Sequence, residues 1–269
     1  MPSKPKTTSP SNPDERTRFS RLKLMAESAA HYADGVVDET SAMRKGSATH
    51  AYLLGGESKV VLYEGGARNP KFRAWQEFKA EHPGKHILIP SEMASVEGMR
   101  RSIEAHPRAM ELLDDGVQET RIEWRLGDRR CAGTPDVVKP LPGRKRLVEL
   151  KTCMTSKPGR FQWQAKNMFY HAQVAWYADG LARTMAYTPG PVDEVYVVAV
   201  EQKRPYPVTV YPVSESVLRA GRQQYQLWLA ELAECERTGA FPAYAQDDVD
   251  WVWDEDGDGL VWEKDEVAA

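Results

Sequence analysis

Two short apolar runs joined by a turn place the strongest constraint on how this chain folds. The runs are Asp136–Val138 and Leu147–Leu150, and the segment between them includes Pro140-Leu141-Pro142-Gly143. Proline and glycine favour turns, whereas runs of valine and leucine favour strands. The segment therefore predicts two adjacent antiparallel strands that form a hairpin.

Charged side chains accompany this hairpin. Glu149 and Lys151 are two residues apart, so they leave the same strand face, while Leu150 points the other way into apolar packing. If Asp136 ends the partner strand, two carboxylates and one ammonium converge. Such a group suits a hard divalent cation acting on a phosphate, with the lysine orienting water or stabilising charge. An ordinary cross-strand Lys–Glu pair explains the same residues, so the pattern alone leaves both interpretations open.

Composition limits the class of protein. The 269 residues are 41% hydrophobic and 28% charged, which is typical of a soluble protein with a sizeable core. No apolar run approaches the roughly 20 residues of a membrane span, and the N-terminus lacks the apolar core of a signal peptide. Three cysteines fit a reducing compartment and cannot supply four thiolates to an iron–sulfur cluster. We expect a cytoplasmic protein with no membrane partner and no such cluster.

Charge is unevenly distributed along the chain. The net charge is −3, but residues 244–269 hold ten acidic residues and one lysine, so residues 1–243 carry +6. A mildly basic body permits phosphate binding. Residues 1–14, rich in Pro, Ser, Thr and Lys, are expected to be disordered, and residues 15–243 to form a single domain. The tail contains aspartates spaced like the start of a calcium loop, but its tryptophans favour a hairpin or a partner-binding ribbon.

Hydrophobic periodicity and capping residues predict an α+β, or mixed α/β, fold. Helices are expected at 15–32, at 41–54, from Asn69-Pro70 to 82, at 91–106 with Ser91 as cap, and at 107–113, 161–183 and 214–238. Strands are expected at 58–63, 87–89, 119–126, 130–138, 145–152, 192–200 and 208–213.

Four further polar residues are candidates for a site. His50 lies on the inward face of its predicted helix, where a hydrogen-bonded core histidine and a metal ligand are both reasonable. Glu119 opens a predicted strand, where glutamate is usually exposed. Gln173 and Tyr177 are one helical turn apart on one face; they either pack in the core or contact a phosphate or a metal-bound water.

Several short motifs, in this order, resemble the PD-(D/E)XK nuclease superfamily and, within it, the RecE-type (exonuclease VIII-like) exodeoxyribonucleases, which are often phage-encoded. The resemblance covers about residues 18–244. Its landmarks are Ser20-Arg21-Leu22-Lys23, Ala30-His31-Tyr32, Gly46-Ser47-Ala48-Thr49-His50, Glu119, Pro135-Asp136, Glu149-Leu150-Lys151 and Tyr170-His171-x-Gln173-x3-Tyr177.

The resemblance implies roles for these residues. It implies a core of a central mixed sheet flanked by helices. Lys151 is implied to be the catalytic lysine, and Gln173 with Tyr177 to support the site and contact DNA. The implied metal is Mg²⁺, with Mn²⁺ able to substitute, and its implied ligands are His50, Asp136, Glu149, the Leu150 backbone carbonyl and Glu119.

The resemblance also implies an activity. Similar proteins digest one strand of linear double-stranded DNA from its ends, here expected 5′ to 3′, and leave 3′ overhangs for recombination. The resemblance further implies that the chain forms a ring-shaped homo-oligomer. It also implies cooperation with a single-strand annealing protein in a bacterial or phage-infected cell. Two other classes remain open: a PD-(D/E)XK endonuclease of the restriction or repair type, and a non-catalytic DNA-binding module on the same fold.

Overall fold

The computed structural model of the chain describes residues 16–36, 40–54, 57–114, 116–184, 186–187 and 190–244. The expected N-terminal arm and nearly all of the expected tail, including its calcium-loop-like aspartates, lie outside these residues. The predicted division of the chain at residues 14 and 243 therefore stays a prediction.

The strands of the described residues, in chain order, are β1 (Thr17–Arg18), β2 (Val60–Leu62), β3 (His86–Leu88), β4 (Val117–Gln118), β5 (Ile122–Leu126), β6 (Arg129–Gly133), β7 (Val137–Leu141), β8 (Arg144–Cys153), β9 (Val192–Glu201) and β10 (Val208–Pro212). The helices are α1 (Phe19–Leu22), α2 (Ala29–Asp34), α3 (Ser41–Leu54), α4 (Arg73–Glu81), α5 (Pro90–Glu104), α6 (Pro107–Asp114), α7 (Arg160–Asn167), α8 (Tyr170–Arg183) and α9 (Glu215–Thr238). Short 3₁₀ helices occupy Lys23–Ala26 and Glu57–Lys59.

A mixed sheet of five strands lies at the centre, in the order β10-β9-β8-β7-β4. Strand β8 runs parallel to β9, and the other neighbouring pairs are antiparallel. Smaller sheets join β1, β6 and β5, and β2 with β3. The predicted mixed architecture is confirmed. None of the helices in the described ranges is long and apolar enough to cross a membrane.

Helices cover both faces of this sheet, which explains why its central strand is apolar on both sides. Val148 and Leu150 of β8 pack into one core layer with residues of α3, α5 and α6. Leu147 and Cys153 pack into the other layer, with residues of α8 and α9. Burial on both faces is typical of a strand with a parallel neighbour in a mixed sheet.

The predicted hairpin is confirmed. Strands β7 and β8 pair antiparallel, with Val137 opposite Val148 and Leu141 opposite Arg144. Gly143 in the turn has a φ of +71°, a left-handed conformation that glycine adopts without steric cost.

The single helix predicted over 15–32 is wrong. Residues Thr17–Arg18 instead form β1, which runs parallel to β6. Short helical segments follow, and α2 begins after Ser28, whose hydroxyl accepts a hydrogen bond from the main-chain N–H of His31. The capping serine and the strand pairing outweigh the helical periodicity of the segment.

The long helix predicted over 161–183 is divided into α7 and α8. Phe169, between them, adopts a left-handed backbone conformation with a φ of +57°. Its ring packs edge-on against Trp228, with 5.0 Å between the ring centres. A tertiary contact thus accompanies a break that helical periodicity does not reveal.

The two long strands predicted ahead of the hairpin also differ from the observed ones: the strand expected at 119–126 begins only at Ile122, and the strand expected at 130–138 is divided. Glu119 separates β4 from β5 with a φ of +46°, which a strand cannot accommodate. The chain leaves β6 at Gly133 and reaches β7, in a different sheet, through Thr134-Pro135-Asp136. Pro135 has no N–H to donate, so it cannot continue the strand ladder.

Two predicted helix starts are shifted. The Asn69 side chain accepts a hydrogen bond from the N–H of Lys71 at 2.9 Å and closes a turn, so α4 begins only at Arg73. Helix α5 begins at Pro90, and the carboxylate of Glu92 accepts a hydrogen bond from the N–H of Ile89. Proline tolerates the first helical position because no hydrogen bond is required of it there.

Candidate active site

Asp136 and Glu149 are held together where β7 begins. The N–H of Asp136 donates to Oε1 of Glu149 at 3.1 Å, and the N–H of Leu150 donates to Oδ2 of Asp136 at 2.7 Å. Asp136 and Glu149 are the next residues beyond the paired Val137 and Val148, so these hydrogen bonds extend the pairing of β7 and β8. Asp136 is only 9% exposed and Glu149 only 1%. Two carboxylates are therefore buried side by side at one end of the hairpin.

Lys151 completes the group. Its Nζ donates to Oε2 of Glu149 at 2.8 Å and lies 5.6 Å from the centre of the Tyr170 ring. Leu150 points to the opposite face and is fully buried in the apolar core, as the strand period predicts. The ordinary cross-strand Lys–Glu pair that the sequence left open does not describe this contact, because Glu149 and Lys151 lie on the same strand, β8.

The burial of these charges shifts their pKa values. Burial raises the pKa of Glu149 to about 7, and the adjacent Asp136 charge adds to that shift. Burial also opposes ionisation of Asp136, but the charges of His50 and Lys151 bring the net pKa of Asp136 below its ordinary value. Burial alone lowers the pKa of Lys151, yet the carboxylates of Glu149 and Asp136 raise it above its ordinary value. Lys151 is therefore protonated at neutral pH.

His50 reaches the carboxylates from α3. Its Nδ1 lies 3.3 Å from Oδ1 of Asp136. Burial favours the neutral imidazole, but the Asp136 charge outweighs it, and the pKa of His50 is raised. The structure thus places His50 beside Asp136 rather than in the apolar core.

A cleft of about 420 Å³ opens above these side chains. It brings together five of the candidate site residues from the sequence, namely His50, Glu119, Asp136, Lys151 and Gln173, with others from distant parts of the chain. Its lining residues are Gly46, Ser47, His50, Ala51, Lys59, His86, Glu119, Asp136, Lys151 and Gln173.

Glu119 lines this cleft from the break between β4 and β5. Its N–H donates to the carbonyl of Asp136 at 2.9 Å, which fixes its position relative to the hairpin. Its carboxylate pairs with Nζ of Lys59 at 2.8 Å. Glu119 therefore lines the cleft, and its negative charge is balanced by Lys59.

Gln173 and Tyr177 extend from α8 on one face. Nε2 of Gln173 donates to the Tyr177 hydroxyl at 3.3 Å. Gln173 lines the cleft, whereas Tyr177 is nine-tenths buried and borders an adjoining cavity of about 200 Å³. Burial raises the pKa of Tyr177, and the charge of Glu149 reinforces the shift, so the hydroxyl stays protonated. Tyr177 therefore contacts Gln173 without lining the cleft itself.

The structure adds cleft residues that the sequence did not single out. Lys59 and His86 flank the cleft from the segment that contains β2 and β3. Lys23, one of the landmarks of the family resemblance, does not line the cleft but lies near Lys151: burial and then the Lys151 charge lower the pKa of Lys23. His86 lies at the cleft because residues 86–88 pair with residues 60–62, which are distant in sequence. No local sequence pattern could therefore have identified it.

The donor set fits a divalent cation. Carboxylate oxygens suit Mg²⁺, and Mn²⁺-type ions also accept an imidazole. No three His, Cys, Asp or Glu side chains in the described ranges are already grouped closely enough to hold a metal. In the described structure, the carboxylates of Asp136 and Glu149 accept hydrogen bonds from main-chain N–H groups and lie beside Lys151 and His50, whose charges balance theirs.

The fold is shared with a solved structure. A protein from Eubacterium rectale described as a "putative exonuclease" superimposes with a TM-score of 0.58 at 14% identity, over 89% of this chain and 88% of its own. An alkaline exonuclease (LHK-Exo) from Laribacter hongkongensis matches at 15% identity over 71% of this chain and 95% of its own, with a TM-score of 0.27. A TM-score below 0.5 does not establish a common fold. Of these two proteins, the one from Eubacterium rectale therefore shows a fold in common with this chain.

The family assignment comes from the sequence. No curated protein shows significant sequence similarity to the chain. Residues 18–249 match the family described as "PDDEXK-like domain of unknown function (DUF3799)". This match spans the hairpin, the cleft and every helix that packs on the central sheet. With most of its length matched, the chain belongs to this PDDEXK-like family and has the PD-(D/E)XK nuclease fold.

Proposed function

We propose that the protein is a metal-dependent exodeoxyribonuclease that hydrolyses phosphodiester bonds from the ends of linear double-stranded DNA. The observation that carries this proposal is the convergence of Asp136, Glu149 and Lys151 at one end of the hairpin, where Asp136 and Lys151 line a cleft. Buried charge is costly unless it is used or fully compensated, and raised pKa values of this kind are concentrated at functional sites. PD-(D/E)XK nucleases generally use divalent metal ions.

The metal ligands we propose are Asp136, Glu149, His50 and the backbone carbonyl of Leu150, with Glu119 available at the edge of the cleft. Oxygen donors predominate, which favours Mg²⁺, and Mn²⁺ can substitute because it accepts imidazole more readily. When bound, such an ion supplies Lewis acidity toward a phosphate and lowers the pKa of a coordinated water.

The protein's own groups act around that chemistry. Lys151 serves as a hydrogen-bond donor and positive charge toward the phosphate, since the carboxylates of Glu149 and Asp136 raise its pKa and favour the protonated amine. His50 and the N–H of Leu150 orient Asp136, and the N–H of Asp136 orients Glu149. Gln173, held by Tyr177, presents an amide to the cleft, where it can position a phosphate or a water.

Resemblance to RecE-type enzymes supports the finer parts of the proposal. These are digestion from 5′ to 3′, release of 3′ overhangs for recombination, a ring-shaped homo-oligomer, cooperation with a single-strand annealing protein, and action in the cytoplasm of a bacterial host or phage-infected cell.

The test compares linear with covalently closed duplex DNA, in Mg²⁺ and in chelator, for the natural protein and Lys151→Ala. We expect loss of linear DNA only, and only with metal and Lys151. Substrates labelled at either the 5′ or the 3′ end then report polarity through which label is released first. Cutting of closed circles would instead assign an endonuclease, and metal-independent binding without hydrolysis of either substrate would leave a DNA-binding module.

A further inference from the structure

Helix α7 presents an exposed aromatic side chain, Trp163. Trp163 is 71% exposed, Met154 just before the helix is 82% exposed, and Met168 just after it is 43% exposed. Tryptophan is usually well buried, so an exposed indole between two exposed methionines marks a surface for interaction.

The position of Trp163 follows from helical spacing. Arg160, Trp163, Gln164 and Asn167 are separated by three and four residues and share one face. Opposite them, Phe161 is buried and stacks on Tyr211 at 4.6 Å. The face that carries Trp163 is therefore the outer face of α7, turned away from the core that holds Phe161.

Gln164 connects that outer face to the active site. Its Oε1 accepts a hydrogen bond from the N–H of Met154 at 3.3 Å, and its side chain interacts with the Tyr170 hydroxyl. The Tyr170 ring in turn lies 5.6 Å from Nζ of Lys151. Trp163 is thus the sequence neighbour of Gln164, which is connected to the catalytic lysine through Tyr170.

Charge identifies the kind of partner. Residues 150–178 contain no aspartate or glutamate, although the whole chain has 39. Lys157, Arg160 and Lys166 are exposed, and within the described residues their side chains form no ion pair. A flat aromatic ring among unpaired cations matches the platforms that bind single-stranded nucleic acid, where a base stacks on the ring and cations contact phosphates.

We infer that the outer face of α7 binds unpaired nucleotides of DNA, with a base stacked on Trp163 and phosphates bound by Lys157, Arg160 and Lys166. Bases within a duplex are already stacked on each other, so this surface selects the strand separated at a DNA end. The inference rests on the proposed function for its biological setting and extends it by specifying where the separated strand lies.

The experiment measures binding in chelator, so that it does not depend on hydrolysis. A fluorescein-labelled oligothymidylate and a blunt hairpin duplex are titrated with the full chain, and binding is followed by anisotropy. Trp163→Ala is expected to weaken oligothymidylate binding by about tenfold, since base stacking is worth roughly 1–3 kcal/mol per base. Trp163→Phe keeps a stacking ring and should retain most of the affinity. Binding of the blunt duplex should change much less.

Two further variants separate stacking from charge and from folding. Arg160→Ala should reduce the slope of log affinity against log salt concentration for the single strand by about 0.7, the value for one phosphate contact. Leu227→Ala removes an apolar side chain that is 66% exposed on α9 and should change neither substrate. Thermal melts of every variant report whether the fold is intact.

The outcomes distinguish this inference from the proposed function. Unchanged oligothymidylate binding by a folded Trp163→Ala protein overturns the inference even if the enzyme digests DNA. Equal losses on single strand and duplex overturn it too, because stacking on an unpaired base is then not involved. A changed sedimentation coefficient with normal DNA binding would make the face an interface between copies. Selective loss of single-strand binding upholds the inference even if no hydrolysis is found.

Discussion

The main-chain N–H of Asp136 donates a 3.1 Å hydrogen bond to the buried carboxylate of Glu149. This bond fixes two acidic side chains within one small region of a sheet, although thirteen positions separate them in sequence. Burial and then the Asp136 charge raise the pKa of Glu149, whereas the charges of His50 and Lys151 bring the pKa of Asp136 below its ordinary value despite its burial.

Lys151→Ala should abolish measurable hydrolysis while leaving DNA binding in chelator largely unchanged. The free energy of unfolding should also fall by about 3–5 kcal/mol, because removing one partner of a buried ion pair leaves the other charge uncompensated. Nuclease assays and urea unfolding measure the two effects. Lys203→Ala, at an exposed lysine, is the matched control and should be neutral. An active Lys151→Ala protein would contradict the assignment.

Mg²⁺ or Mn²⁺ should raise the melting temperature of the natural protein above its value in chelator. A ligand that binds only the folded state stabilises it in proportion to the logarithm of its concentration over its dissociation constant. Asp136→Asn and Glu149→Gln should remove this shift, whereas Glu119→Gln should reduce it only in part, since Lys59 already balances Glu119. The same shift in all three variants would mean that the ion binds elsewhere.

His50→Ala should raise the metal concentration required for half-maximal activity by about 10–100-fold, the usual effect of losing a group that orients or supplies a ligand. The cause is the 3.3 Å contact between Nδ1 of His50 and the carboxylate of Asp136. Metal titrations of kcat and KM measure it. A fall in kcat at saturating metal, with no change in the metal requirement, would assign His50 to another role.

Gln173→Ala should lower activity more than Tyr177→Phe does. Gln173 lines the cleft, and Tyr177 acts on it only through a 3.3 Å hydrogen bond to its amide. Rates at saturating DNA for the two variants and the natural protein test this order. Larger loss in Tyr177→Phe would indicate that the tyrosine itself contacts the substrate.

The three thiols should be nearly inert toward a thiol reagent at pH 8 in the folded protein. Cys131, Cys153 and Cys235 are buried, and burial raises the pKa of Cys131 to about 11 and of Cys153 to about 12. The reactive thiolate is therefore scarce below those values. Timed labelling with and without urea tests this, and rapid labelling of the native protein would show that these side chains are accessible.

The sequence alone determined the hairpin and the faces of its side chains. Alternation along 147–151 places Glu149 and Lys151 together and Leu150 in the core, and Gly143 supplies the turn. These features are local: each depends on strand period and turn conformation, which neighbouring residues control. The helices 41–54 and 215–238 could be read for the same reason, from periodicity and, for the second, a capping serine.

Tertiary structure decided everything that joins distant segments. Pro135 ends one strand and starts another sheet, Phe169 divides a helix through its contact with Trp228, and Ser28 interrupts a third predicted element. His50, Lys59 and His86 line one cleft with Asp136 because α3 packs against both β8 and the β2–β3 pair. Local propensities are worth tenths of a kcal/mol per residue, and burial of a core side chain is worth a few kcal/mol, so long-range packing outweighs them wherever the two conflict.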